Sequence, residues 1–353
     1  MGTCGKDGST MKGAFFLGNR EFEVRDMEKR PLAADEVRIR VMACGVCGTD
    51  VHIYHGEAGS AEVTPPVVLG HEYAGIVEEV GADVKGLVPG DHVAVDPNIY
   101  CGACTPCRDG KKQFCEHLQA LGVTRDGGFA QYSAAPAAQC FKLAPELPFE
   151  AGAMAEPLAC CLHGIDAAGI RPGSTVCVIG GGAIGLLMVQ LARLSGAAKV
   201  ILSEPVELRR SAGLSVGADL AVDPLREDLS ARVREDAGKS GADVVIECVG
   251  NTAATRSAFE AAGFGATVLL FSVPAPTATV PLPLFDVYKK ELAIRGSFIN
   301  PDTHLRAVEL LSAGRINVEP LITHTFGIGE MEQAIKMQMG GESIKVMVLP
   351  NKR

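Results

Sequence analysis

The chain up to about residue 150 has a hydrophobic pattern typical of antiparallel sheet. Polar and apolar residues alternate at 36–43 (EVRIRVMA), and β-rich runs at 72–80 and 92–95 are separated by Gly and Pro. Alternation with a period of two places apolar side chains on one face of a strand. We therefore predict a mostly antiparallel, turn-rich β-domain whose first strand-like pattern begins at Met11.

Beyond residue 150 the pattern becomes that of buried strands and helices in alternation. A largely apolar helix is predicted up to the Arg171-Pro172-Gly173 breaker. The following strands, rich in β-branched residues, are predicted at 175–179, 200–203, 243–248 and 267–271, and the helices at 183–194 and 206–215. Because strands buried on both faces have this composition, the order predicts a doubly wound parallel sheet with right-handed crossovers.

These patterns predict an α/β protein of two domains, for which 353 residues are sufficient. The β-rich catalytic domain is predicted to comprise residues 11–154 and 296–353, the latter with a helix at 303–313 and a strand at 345–349. The parallel-sheet domain comprises residues 155–295. Residues 1–10 are polar and rich in small side chains, and we expect a disordered extension or a cloning remnant there.

Composition and charge exclude several classes of function. The 33 basic and 42 acidic residues give a formal charge of −9, which repels nucleic-acid phosphates. The sequence has no apolar stretch of membrane-spanning length and no signal-peptide pattern. Twelve cysteines without an export signal are typical of a reducing compartment. We therefore expect a cytoplasmic protein with no nucleic-acid or membrane partner.

A loop of four cysteines is the strongest chemical signal. Cys101, Cys104, Cys107 and Cys115 have the spacing C-x2-C-x2-C-x7-C, and a shell of four thiolates suits a structural zinc ion with no open position. Two other interpretations remain, namely buried or redox-active cysteines and a nucleic-acid-binding zinc finger. The acidic chain and the lack of a recognition helix count against the zinc finger.

Cys47, His71 and Glu156 are predicted to form a second metal site. One thiolate, one imidazole and one carboxylate leave a fourth position for water or substrate, as a catalytic zinc ion requires. Glu72 could ligate the ion when that position is empty, or stay outside the ligand shell and balance its charge. Cys44 forms a C-x-x-C pair with Cys47, which elsewhere serves redox chemistry or a shared metal, but we interpret it as packing.

A glycine-rich turn marks the predicted cofactor site. The residues assigned to it are Gly180, Gly182, Ala183, Ile184 and Gly185, which contain G-x-G-x-x-G between a predicted strand and a predicted helix. The glycines allow the backbone to approach a pyrophosphate, whose charge meets the helix N-terminus. Glu204, after the next strand, could accept the ribose hydroxyls and would repel a 2′-phosphate, so NAD is predicted over NADP. Arg209 could weaken that exclusion.

Four motifs occur in an order that resembles the zinc-dependent medium-chain alcohol dehydrogenase superfamily: GVCGTDVH, GHEYAGIVEEVG, the four-cysteine loop and VIGGGAIG. The resemblance spans about residues 12–350. It implies a GroES-like catalytic domain split around a Rossmann domain, with the open zinc in the cleft between them. Where one subgroup has a second cysteine ligand, this chain has Glu156, which resembles the polyol, threonine and secondary-alcohol branches.

The resemblance also implies a mechanism. Zinc acidifies a bound alcohol, and the alkoxide releases hydride to NAD. Thr49 resembles the hydroxyl that receives the proton and passes it through the nicotinamide ribose to a histidine, whose position His52 occupies. Together with Glu72 these are the predicted catalytic residues, while Asp50 is expected to orient His71 or the backbone.

The expected substrate is a small secondary alcohol, either a polyol, a sugar alcohol or a sugar-alcohol phosphate. Related sugar-alcohol dehydrogenases commonly have Arg after the Phe of the turn GSFINPD, whereas this chain has Ile299, which counts against a free hexitol. L-Threonine and vicinal diols are alternative substrates. The alternative of another class is a protein that binds NAD and zinc without catalysis, and the presence of every predicted ligand and relay residue counts against it.

A homodimer or homotetramer is implied by the resemblance, because edges of the cofactor-domain sheets pair in that superfamily. The segment 267–283 is strand-like and then Pro-rich, and we predict that it supplies the edge. A loop closing the cofactor cleft is the alternative for this segment.

Overall fold

The computed structural model describes residues 9–57 and 61–352, and the chain divides into two compact units. The first unit comprises Met1–Pro157 and His304–Arg353, and the second comprises Leu158–Thr303. The extension predicted at 1–10 lies outside the described residues except for Ser9 and Thr10. Since the first strand begins at Thr10, β-structure starts just before the predicted position.

Strands dominate the first part of the first unit. In chain order its elements are β1 (Thr10–Gly18), β2 (Glu21–Glu28), β3 (Glu36–Gly45), α1 (Gly48–Tyr54), β4 (Val67–Val68), β5 (Glu72–Val80), β6 (His92–Val95), β7 (Asn98–Ile99), α2 (Thr105–Arg108), β8 (Gln119–Ala120), β9 (Tyr132–Pro136), β10 (Cys140–Lys142) and α3 (Phe149–Ala153). Helix α4 (Ala155–Ala168) follows and runs into the second unit.

Helices and parallel strands alternate in the second unit, all of whose residues are described. Its further elements are β11 (Thr175–Ile179), α5 (Ala183–Leu194), β12 (Lys199–Ser203), α6 (Glu207–Ser215), β13 (Leu220–Val222), α7 (Leu229–Ala237), β14 (Ala242–Glu247), α8 (Thr252–Ala261), β15 (Ala262–Leu270), α9 (Leu284–Lys290) and β16 (Ala293–Gly296). The chain then returns to the first unit with α10 (His304–Ser312), β17 (Ile322–Gly327), α11 (Met331–Met339) and β18 (Lys345–Leu349).

The main sheet of the first unit joins distant parts of the chain. Its order is β10-β6-β5-β3-β18-β17, with β9 also paired to β3, and its pairs are antiparallel except for β17 with β18. Strand β3 is buried along nearly all of its length despite its alternating charges. Arg38 is buried there because its guanidinium donates to Glu79 at 3.0 Å and to the Arg30 carbonyl at 2.8 Å.

The parallel sheet of the second unit has the order β13-β12-β11-β14-β15-β16. In terms of its own strands this is 3-2-1-4-5-6, the arrangement of dinucleotide-binding folds, and the order reverses between β11 and β14. Ligands bind such sheets beyond the carboxyl ends of the strands at this reversal. The predicted α/β class, with an antiparallel domain and a doubly wound parallel domain, is therefore confirmed.

Two predictions about elements were wrong. The apolar helix predicted from residue 150 is interrupted at Met154, whose N–H bonds the Ala151 carbonyl at 3.1 Å and closes α3 before α4 begins. The segment 267–283 does not supply a sheet edge, because β15 lies between β14 and β16. The edge strand on that side is β16, a short run that the sequence analysis did not identify.

Candidate metal and cofactor sites

The four cysteines of the loop at 101–115 meet in one cluster. The sulfurs of Cys101, Cys104, Cys107 and Cys115 all lie within 4.8 Å of one another. A backbone N–H of Cys101 points to the Cys115 sulfur at 3.3 Å, and those of Ala103 and Cys104 point to the Cys101 sulfur at 3.4 Å and 3.3 Å. Backbone N–H groups that point to sulfur atoms stabilise thiolates, as a closed zinc site with four sulfur ligands requires.

The thiols of this loop differ in acidity. The N–H groups of Ala103 and Cys104 lower the pKa of Cys101 to about 6. Removal from water raises the pKa of Cys107 to about 12, since desolvation disfavours its thiolate. A bound dication would favour the thiolate in every member of the set.

A second cluster contains Cys47, His71 and Glu72, whose ligand atoms lie within 4.8 Å of one another. Cys47 follows β3 and precedes α1, whereas His71 and Glu72 stand at the start of β5. The β3–β5 register brings them together, because Gly45 pairs with Glu72. A thiolate, an imidazole and a carboxylate form a donor set that zinc uses.

Buried charge surrounds this second cluster. Asp50 is fully buried, and its Oδ2 accepts the Cys47 backbone N–H at 2.8 Å while its Oδ1 lies 3.7 Å from His71 Nδ1. Burial alone would lower the pKa of His71, but the negative charges of Asp50, Cys47 and Glu156 outweigh it and raise that pKa well above its usual value. Asp50 Oδ1 and His71 Nδ1 have no hydrogen-bond partner among the described residues. The excess of acidic groups around the cluster fits a bound cation.

Glu156 lies in the same unit but outside the group of mutually close ligand atoms. It is the second residue of α4 and is buried, and its charge raises the pKa values of both His71 and Lys345. The third ligand atom close to those of Cys47 and His71 belongs to Glu72. The sequence predicted Glu72 only as a possible exchange ligand.

Lys345 is a component of the site that the sequence analysis missed. Its ammonium forms an ion pair with Glu72 and donates to the Val46 carbonyl at 3.1 Å. Both side chains are almost completely buried. The sequence does show a lysine as the first residue of the otherwise apolar strand KVMVL, which is unusual for a buried strand. Its partner Glu72 cannot be identified without the pairing of β18 with β3.

The predicted proton-relay residues lie on α1. Thr49 and His52 are both half-buried and lie about one helical turn apart, which places them on the same face. His52 Nδ1 lies 2.5 Å from Glu57 Oε2. Glu57 was not predicted to contribute.

The glycine turn has the conformation and close approaches that its sequence requires. Gly180 has φ +100°, in the left-handed region that favours glycine, and a side chain at Gly185 would collide with the Gly180 carbonyl. Gly182 is the N-cap of α5, and Ala183 and Ile184 form its first turn. The N-terminus of this helix is thus accessible to a phosphate group.

Glu204 lies against this turn. Its Oε2 accepts the Gly181 N–H at 2.6 Å, and its Oε1 accepts the Val206 N–H at 2.9 Å. Arg209 lies on the following helix, half-buried. The neighbouring Arg210 binds the Glu204 carbonyl at 2.8 Å, which fastens the end of β12 to α6.

Comparisons with known proteins agree with this arrangement. Residues 33–145 match the model of the alcohol dehydrogenase GroES-like domain, and residues 183–313 match that of the zinc-binding dehydrogenase domain. Sorbitol dehydrogenase of Bacillus subtilis is 32% identical over 97% of this chain and 98% of its own length. An L-threonine 3-dehydrogenase of Anaeromyxobacter is 34% identical over 92% and 94%.

A solved structure is also highly similar. It is a zinc-binding dehydrogenase from Sinorhizobium meliloti bound to NADP, which is 40% identical and has a TM-score of 0.93 over 97% of this chain and 100% of that one. Among the described residues, no helix has the length and apolar character needed to cross a membrane.

Proposed function

The chain belongs to the zinc-dependent medium-chain alcohol dehydrogenase superfamily, and from this premise we propose that it interconverts a polyol-type secondary alcohol and its ketone with NAD. It is a dehydrogenase that acts on alcohol CH–OH groups. The observation that carries the proposal is the meeting of Cys47, His71 and Glu72 in one cluster, of which His71 and Glu72 are buried, with Glu156 acting on it electrostatically. The Bacillus sorbitol dehydrogenase supports the polyol-type substrate.

Two zinc ions per chain are proposed. The loop of Cys101, Cys104, Cys107 and Cys115 would hold a structural ion, because a shell of four thiolates leaves no free position. Cys47, His71 and Glu156 would hold the second, with Glu72 available as an exchange ligand. Zinc at the second site would supply a Lewis acid that lowers the pKa of a bound alcohol.

Thr49 and His52 would remove the proton of that alcohol. Thr49 Oγ1 would accept it and pass it on towards the His52 ring. Because Glu57 occupies Nδ1 of that ring, Nε2 is the nitrogen left to receive the proton. Glu57 would then stabilise the resulting imidazolium as an adjacent carboxylate does.

The glycine turn would bind the cofactor through Gly180, Gly182, Ala183, Ile184 and Gly185. We propose NAD as the preferred cofactor, since the Glu204 carboxylate lies at the turn and would repel a 2′-phosphate. Two observations favour NADP as the alternative: the similar Sinorhizobium structure is bound to NADP, and Arg209 is near in sequence. Titration calorimetry with both cofactors separates these possibilities.

A panel of alcohols tests the reaction. Zinc-loaded protein is incubated with NAD and with xylitol, sorbitol, a sugar-alcohol phosphate, 2,3-butanediol or L-threonine, and NADH is followed by its ultraviolet absorbance. We expect the highest kcat/KM with a polyol or its phosphate. L-Threonine is the second candidate, because a threonine dehydrogenase is 34% identical over most of the chain. Cofactor binding without turnover on any alcohol would instead indicate a non-catalytic binding protein.

Metal analysis tests the site. Cys47→Ala should abolish turnover and remove one of the two zinc ions, while NAD binding survives. Cys104→Ala should remove the other ion and lower thermal stability. Cys140→Ser is the matched control, because this thiol lies in β10 outside both clusters. Full activity in metal-free protein would contradict the proposal.

A homo-oligomer is proposed as well, in a cytoplasmic setting that keeps both thiolate sites reduced. Strand β16 is the edge of the parallel sheet, and the neighbouring α9 exposes Leu284, Phe285 and Tyr288. A second copy covering this surface would remove apolar side chains from water. Light scattering of wild type and Tyr288→Glu should show a dimer or tetramer for the former and smaller species for the latter.

A further inference from the structure

Lys345 and Glu72 form an ion pair that is almost completely withdrawn from water. The exposed fractions of the two side chains are 4% and 1%. The pair lies at the edge of the Cys47 cluster, because Glu72 supplies one of the ligand atoms of that cluster.

The fold leaves a space for this pair. Strand β3 lies between β5 and β18, and its residue Gly45 pairs with Glu72 on one side and Met347 on the other. A side chain at Gly45 would collide with Glu72 Oε2 and would lie 2.8 Å from Lys345 Cε. The absence of a side chain at this one position allows the carboxylate and the ammonium to meet.

Glu72 consequently has two competing partners. One is the Lys345 ammonium, and the other would be a metal ion bound by Cys47 and His71, whose ligand atoms lie within 4.8 Å of that of Glu72. A buried carboxylate without a counter-ion is costly. If the ammonium were removed, the metal would be the nearest positive charge left to it.

We propose that Lys345 is a positioning residue that holds Glu72 off the catalytic metal and so keeps the fourth coordination position open for the alcohol. This inference rests on the metal site proposed above. The hydrogen bond from Lys345 to the Val46 carbonyl fixes the ammonium to the backbone just before Cys47. The lysine is thus anchored independently of Glu72.

Cobalt(II)-substituted protein tests the coordination without turnover. The visible spectrum of cobalt reports ligand number and type, and imidazole is titrated as a probe of the open position. In Lys345→Met we expect an altered spectrum and imidazole binding about tenfold weaker than in wild type. Lys345→Arg, which retains the cation, should resemble wild type.

The double variant Glu72→Gln/Lys345→Met separates this effect from general damage. It lacks both charges, so the open position and the imidazole affinity should return, whereas damage caused by losing the hydrogen bond to the Val46 carbonyl predicts no recovery. Should Lys345→Met fail to fold, Lys345→Gln retains a donor for the Val46 carbonyl and carries the same prediction.

Two outcomes distinguish failure of the inference from failure of the proposed site. A wild-type spectrum and imidazole affinity in folded Lys345→Met or Lys345→Gln would overturn the role of Lys345 alone. A cobalt spectrum unchanged in Cys47→Ser would show that the metal does not bind at Cys47, which would overturn the proposed site and this inference with it.

Discussion

The carboxylate of Glu204 accepts the backbone N–H of Gly181 at 2.6 Å, which joins the end of β12 to the glycine turn. A negative charge therefore lies where the ribose of a dinucleotide approaches such a turn. Glu204→Gln keeps an acceptor for the amide but removes the charge. We expect its preference for NAD over NADP to fall by about tenfold, since charge repulsion from the 2′-phosphate is lost.

Calorimetric titration of both cofactors measures this change. Glu204→Ala is the comparison, because it also removes the acceptor for Gly181 and should weaken the binding of both cofactors. An unchanged preference in Glu204→Gln would mean that the carboxylate does not face the 2′ position.

Metal binding at the Cys47 cluster should compete with protons. In the metal-free protein the acidic neighbours of His71 raise its pKa well above its usual value, which favours the protonated ring. Zinc needs the neutral imidazole, so binding must release that proton and the zinc affinity should fall as pH falls. Calorimetry in buffers of different ionisation enthalpy measures the release, and His71→Asn should release fewer protons.

The same shift predicts the stability of the metal-free form. Because the pKa of His71 is higher in the folded state, its protonation stabilises the fold fully below about 6.5 and is lost as pH rises through the folded value. Relative to His71→Asn, metal-free wild type should therefore lose stability towards high pH. Urea unfolding across that range measures the difference.

His304 should destabilise the fold in acid. Its ring packs on Phe141 with 4.9 Å between centroids, neither nitrogen has a hydrogen-bond partner among the described residues, and burial lowers its pKa to about 3. The unfolded chain takes up a proton below about 6.5, but the folded chain does not until about 3. Stability should therefore fall by up to about 1.4 kcal/mol per pH unit between these values.

His304→Phe removes this dependence while keeping an aromatic ring against Phe141. The free energy of unfolding is measured by urea titration at several pH values, and the slope is compared rather than the absolute value, since the larger ring can alter packing. Equal slopes in both proteins would show that His304 can be protonated in the fold.

Ile299 is held in a strained conformation. Its φ is +47°, in the left-handed region that a β-branched side chain rarely adopts. Ile299→Asn places a residue that tolerates this region, and we expect stabilisation of about 1 kcal/mol. Thermal unfolding measures it, with Ile294→Asn on the exposed edge strand as a control at ordinary φ.

The sequence predicted best where information is local. The runs at 175–179 and 345–349 form strands with the predicted bounds. A short, largely apolar run predicts a buried strand whichever strands lie beside it. The glycine turn could be predicted equally well, since its strand, turn and helix are consecutive in the sequence.

Features that depend on the order and register of the strands could not be predicted from the sequence. Nothing near Lys345 in the sequence indicates Glu72, and only the order β5-β3-β18 makes them partners. The edge at β16 was missed for a similar reason, because a four-residue run beside Leu292 has no pattern of its own. For the same reason, spacing alone could not distinguish Glu72 from Glu156 as the third group close to Cys47.

The cysteine loop and the Cys47 cluster differ in how far apart in the sequence their residues lie. All four thiols of the loop come from one short segment, so it can capture an ion while later residues are still being synthesised. The Cys47 cluster obtains its ammonium from β18, more than 200 residues after the loop. Its surroundings are complete only once β18 has been synthesised, so we expect the proposed ion of the loop to bind before the proposed ion of the Cys47 cluster.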